Sequence, residues 1–146
     1  TKGLIQSDVT MAAIRPKVAY YAVQNIASIF DSDLLLNPGF KYNSSHKNSM
    51  SVYGFQHAKT GTPLVALWID STTATNSFQT TAVDLLIDNS RFKAPVLVDL
   101  MTGNIYEIPK KQWTSLEGAT RFTNLPIYDA PMLIAERSML KMKRVK

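Results

Sequence analysis

The sequence predicts a mainly β protein, an antiparallel β-sandwich of about seven to eight strands preceded by one N-terminal α-helix. Three observations carry that expectation. Apolar and polar residues alternate with period two through most segments after residue 48, turn-forming residues punctuate those segments, and one stretch near the front, RPKVAYYAVQNIASIF at residues 15 to 30, instead carries its apolar residues at helical spacing.

In that stretch Pro16 suits the first turn of a helix, where its missing N–H leaves no bond unmade, and Ala19, Ala22, Val23, Ile26, Ala27, Ile29 and Phe30 then form a broad apolar stripe. Asp31, Ser32 and Asp33 interrupt the stripe, and Asn37-Pro38-Gly39 marks a turn. After that turn the period changes. Met50 and Val52 oppose Tyr53 and Phe55, Val83, Leu85 and Ile87 alternate with Asp84 and Asp88, and Val96, Val98 and Leu100 alternate with Asp99. Each of these reads as a strand with one buried face. PLVALWID differs, because Val65, Leu67 and Ile69 point one way while Leu64, Ala66 and Trp68 point the other, so both of its faces require cover. Thr102-Gly103-Asn104 is the strongest hairpin signal in the chain. ATRFTNLPIYDAPMLIAERS reads as two further short strands separated by a connection bounded by Pro126 and Pro131.

A chain of 146 residues has the size of one ordinary domain with a substantial core. Cysteine is absent, so disulfides and thiolate metal sites are excluded. The net charge of +5 comes largely from the end of the chain. Four of the sixteen basic residues lie in the last six, KMKRVK, and without them twelve bases face eleven acids. This is a basic tail at 141–146, not a basic face, and no nucleic-acid partner is expected. No apolar run approaches the roughly 18 residues that span a bilayer, so no membrane partner is expected, and Thr1 is not followed by a signal-peptide pattern. Asn43-Ser44-Ser45 matches a glycosylation sequon, which has meaning only in a eukaryotic secretory route.

No catalytic constellation emerges. Asp84, Asp88, Asp99, Glu107, Glu117 and Glu136 read as surface carboxylates, and His46 and His57 each lack a second ligand at metal spacing, so neither a catalytic pair, a metal site nor a cofactor is expected. Asp31 to Leu36 begins like a calcium loop but carries Leu35 and Leu36 where an oxygen ligand and a glycine are needed. Aromatic rings are the remaining lead, since flat rings stack on sugar faces. Trp113, in the apparent loop KKQWTSLEG, is the first candidate, with Tyr106 and Tyr128 nearby and Lys110, Lys111 or Gln112 as hydrogen-bonding neighbours.

Two stretches together carry a family resemblance. KGLIQSD followed by RPKVAYYAVQNIASIFD resembles the last βα segment of the (β/α)8 barrel of clan-A glycoside hydrolases, and VDLMTGNIYEI with RFTNLPIYDAPMLIAE resembles the end of the β-sandwich that follows it. The resemblance implies a division into residues 1–33, the end of a barrel segment including helix 15–30, residues 34–140, a C-terminal sandwich, and the tail. It implies a bacterial, periplasmic or extracellular carbohydrate-degrading enzyme whose catalytic residues lie upstream, so that none is assigned here. The chain is then expected to be a non-catalytic domain packed on the barrel of the same polypeptide, with Ala22, Val23, Ile26 and Phe30 as the barrel-facing or self-associating surface. A carbohydrate-binding module that takes polysaccharide is the alternative, and a freestanding adhesion or assembly sandwich a third.

Overall fold

The computed structural model describes residues 5–7, 10, 13–16, 18–71, 75 and 77–140. β1 (Ile5–Ser7) and β2 (Ala13–Pro16) form an antiparallel hairpin, followed by α1 (Val18–Ile29). The sandwich then begins with β3 (Leu34–Leu36), β4 (Tyr42–Ser44), β5 (Met50–His57) and β6 (Pro63–Ile69). It continues through β7 (Thr81–Asp88), β8 (Pro95–Asp99), β9 (Ile105–Glu107), β10 (Trp113–Leu116), β11 (Ala119–Ile127) and β12 (Met132–Glu136). One sheet has the order β3-β5-β6-β12-β8-β9 and the other β10-β11-β7-β4, with every pairing antiparallel. The mainly β fold with a helix on its N-terminal side is thus the observed one. Its ten sandwich strands include β3, β4 and β10, of three or four residues each, which are too short to display an alternation.

Side-chain alternation divides the core into two layers. Met50, Val65, Leu67, Leu97, Met132 and Ile134 of the larger sheet meet Val83, Leu85, Ile87, Phe122, Leu125 and Ile127 of the smaller one. On the far side of the larger sheet, Leu64, Ala66, Val96, Val98, Leu133 and Ala135 form a second apolar layer that includes Ile29 of α1. The doubly apolar β6 therefore has cover on both faces, and α1 supplies part of it. Asn25 Nδ2 donates to the Leu100 carbonyl at 3.0 Å, and the Phe30 ring meets Phe55 edge-on at 5.1 Å. The Asn25 amide also lies against Gly103, whose φ of +75° turns the β8–β9 hairpin while its lack of a side chain leaves room for α1. Gly54 in β5 serves the inner layer in the same way, because a Cβ there would fall within the Phe40 ring.

Three expectations require correction. The helix begins at Val18 and not at residue 15: Arg15 precedes a proline, whose ring clashes with a helical neighbour, and it pairs in extended form with Gln6. Pro16 closes β2 instead of opening α1. β8 is buried along its whole length, because Leu97 faces the inner layer while Val96 and Val98 face the outer one. Pro126 lies within β11, opposite Ala82, and the connection to β12 runs only from Tyr128 to Pro131. A break in register between Phe122 and Leu125, with Asn124 at a φ of 57°, lets β11 accommodate that proline. The basic tail at 141–146 lies outside the described residues.

Candidate functional site

Where β9 crosses towards β10 the two sheets leave a cavity of about 290 Å³, close to the lower end of the range for small-molecule sites. Strand geometry explains its contents. Leu97 and Asp99 are two residues apart on β8 and face the same way, into the space between the sheets. Tyr128 follows the last residue of β11 and turns inward, and its hydroxyl donates to Asp99 Oδ1 at 2.8 Å. The Met101 N–H donates to the same oxygen at 2.9 Å. Tyr106 of β9, 39% exposed, stands at the rim, with Asn104 Nδ2 donating to its hydroxyl at 3.2 Å. Glu107, also at the rim, is bridged at 2.8 Å by Arg137.

The segment before β7 completes the mouth. Asp129 accepts hydrogen bonds from the Thr75 N–H at 2.7 Å and the Thr75 hydroxyl at 2.9 Å, and these hold its carboxyl below the usual range. Three residues on, Phe78 lies 5.9 Å from the Tyr128 ring while remaining 69% exposed. Burial, followed by the hydrogen bond and negative charge of Asp99 and the charge of Asp129, pushes the Tyr128 phenol well above its ordinary value. The neutral phenol is thus the form the fold prefers. Its contribution is complete below about pH 10, the unfolded value, and is lost as the pH rises above it. Alkaline urea titrations should therefore show stability falling more steeply above that pH in the parent chain than in Tyr128→Phe. Parallel curves would mean that Tyr128 ionises freely.

The three aromatic candidates separate. Tyr106 and Tyr128 line the cavity, but Trp113 does not, since it is 7% exposed in the inner core and offers no free face for stacking. Lys110–Gln112 form a single 3-10 turn, after which Trp113 opens β10 opposite Phe122 and turns inward, with Lys110 Nζ 3.5 Å from its ring centroid. Gln112 is occupied by a bond to the Asn124 carbonyl, and Lys111 is exposed. On the helix Ala22 and Phe30 are partly buried, whereas Val23 and Ile26 remain 48% and 39% exposed.

Two of the supposed surface carboxylates are buried. Asp99 is held by Tyr128, and Glu136 accepts the N–H groups of Lys93 and Ala94 at 2.6 and 3.2 Å. Alternation at the end of β8 leaves no sign of an inner carboxylate, because its partner Tyr128 is remote in sequence. Phe78 was not among the candidates either, although a lone aromatic within TTATNSFQTT is the kind of signal that marks a loop-tip contact. His57 Nδ1 accepts N–H groups of its own turn, and no group of three potential metal ligands occurs among the described residues.

Fold and site together define a two-sheet antiparallel sandwich, with a helix on its outer face and a ligand-sized aromatic cavity at one end. No protein-family model, curated protein or solved structure matches the chain.

Proposed function

We propose that this chain is a non-catalytic sandwich module of a secreted bacterial glycoside hydrolase, packed on the preceding (β/α)8 barrel of the same polypeptide and stabilising it. The reading rests on the resemblance of its two ends to such enzymes, and the observation that supports it is that the sandwich covers only part of the apolar stripe of α1. Asn25 and Ile29 commit one side of the helix to the sandwich. Tyr21, one turn before Asn25 on that same side, and Val23 and Ile26 beside it remain exposed apolar surface. A final barrel helix shared by two domains needs apolar surface beyond what the sandwich covers. The outer sheet face extends the apolar surface through Tyr53 and Trp68, whose rings stack at 5.6 Å. In this reading Asp99 and Glu107 are engaged by Tyr128 and Arg137 and have no part in glycoside chemistry.

A paired measurement tests the proposal. In the 146-residue chain, Val23→Asp combined with Ile26→Asp should cost about 1 kcal/mol or less, because the two side chains keep 48% and 39% of their surface in water. In the polypeptide that joins the chain to its upstream barrel, the same double change should lower apparent stability by about 2–4 kcal/mol with kcat per folded molecule retained. Equal losses in the two settings would overturn the docking role. Turnover of an aryl glycoside by the isolated chain would overturn the non-catalytic one.

A further inference from the structure

We propose that the cavity at the end of the sandwich binds a small organic cation, an alkyl or aryl ammonium group with an apolar body. This inference is independent of the docking role, which concerns α1 and the opposite face of the larger sheet.

Charge and aromatic complementarity carry it. Three rings, Phe78, Tyr106 and Tyr128, share the lining with two carboxylates, Asp99 and Glu107, and no Lys, Arg or His is among the lining residues. Ring faces carry negative potential and attract a cation, most strongly where water is displaced. Asp99 adds a full charge. Its Oδ1 takes the hydrogen bonds of Tyr128 and Met101, whereas Oδ2 receives none from the described residues. The charge of Glu107 is offset by Arg137, whereas Asp99 has no cationic partner among the described residues.

The rest of the lining decides between a cation and a sugar. Leu97, Ile108, Pro109, Leu125, Pro126 and Met132 offer hydrocarbon or ring carbon, and Thr80 adds a single hydroxyl. The Gln112 amide nitrogen is already bonded to Asn124, and the Tyr106 hydroxyl accepts from Asn104. A buried sugar would bring several hydroxyls that each need a partner, and such groups cost free energy when left unpaired. An ammonium needs one carboxylate and a set of ring faces. Phe78, exposed yet anchored through its neighbouring Thr75–Asp129 bonds, is placed to cover such a ligand.

Choline and its neutral isostere 3,3-dimethylbutan-1-ol differ in charge and little else, which makes them suitable probes, with methyl glucoside as a third. In amide-detected NMR titrations of the 146-residue chain, choline should shift the signals of Phe78, Asp99 and Tyr106 saturably and less at high salt. The isostere should bind at least about tenfold more weakly. Tyr106→Ala and Phe78→Ala, at exposed positions that leave the fold intact, should each weaken choline about tenfold. Asp99→Asn should remove the difference between choline and the isostere, and if that variant does not fold the two ring variants decide. Equal binding of the isostere, methyl glucoside in the cavity with choline excluded, unchanged choline affinity in both ring variants, or no shift with any probe would each overturn the proposal.

Discussion

Phe122→Ala is expected to lower the unfolding free energy by about 3–5 kcal/mol, the range for deleting a fully enclosed aromatic ring. Phe122 is inaccessible to solvent, lies on β11 between β10 and β7, and meets the Phe92 ring edge-on at 5.5 Å. Removing it takes away burial energy and the aromatic contact and leaves a void between two sheets that cannot collapse independently. Equilibrium urea unfolding provides the test. The midpoint should fall with the denaturant slope unchanged. A loss under about 1 kcal/mol would show that the inner layer is too loosely packed to register the void.

Ile29→Asp should have the second largest effect, about 2–4 kcal/mol, and a different signature. Ile29 belongs to the outer layer with Leu64, Ala66 and Leu133, so the change replaces buried hydrocarbon with a carboxylate. That carboxylate also sits in the last turn of α1, where the helix dipole disfavours negative charge. The inner layer does not depend on this residue. Hydrogen exchange should accordingly show the amides of α1 losing protection while Val83, Leu85 and Phe122 keep theirs. Unchanged protection of α1 would mean that Asn25 and Phe30 hold the helix without Ile29.

These two variants probe features of unequal visibility in the sequence. The period-two pattern of β7 places Val83, Leu85 and Ile87 in the core directly, because alternation on a strand maps onto opposite faces. The opposed apolar sets of β6 likewise imply a layer on each side. Other features carry no local mark. Trp113 stands in a segment with the composition of a loop, and only its pairing with Phe122 turns its ring inward. For Asp99 the alternation read in the sequence was that of one buried face, whereas β12 and β9 flank β8 in the sheet and cover lies over both sides.

What the sequence determined by itself is the class of fold, the existence of one helix ending near Phe30, the turns at Asn37 to Gly39 and Thr102 to Asn104, and the demand of β6 for two covered faces. Each depends on periodicity or turn chemistry within a few residues. Tertiary structure decided how much of the apolar stripe of α1 the sandwich covers, the burial of Asp99 and Trp113, and the gathering of Phe78, Asp99, Tyr106 and Tyr128 around one cavity. Those four residues lie up to 50 positions apart in the chain and come together only because the segment before β7, β8, β9 and the end of β11 meet at one end of the sandwich. Strand order and the choice of sheet edge arise from contacts remote in sequence, on which a local pattern carries no information.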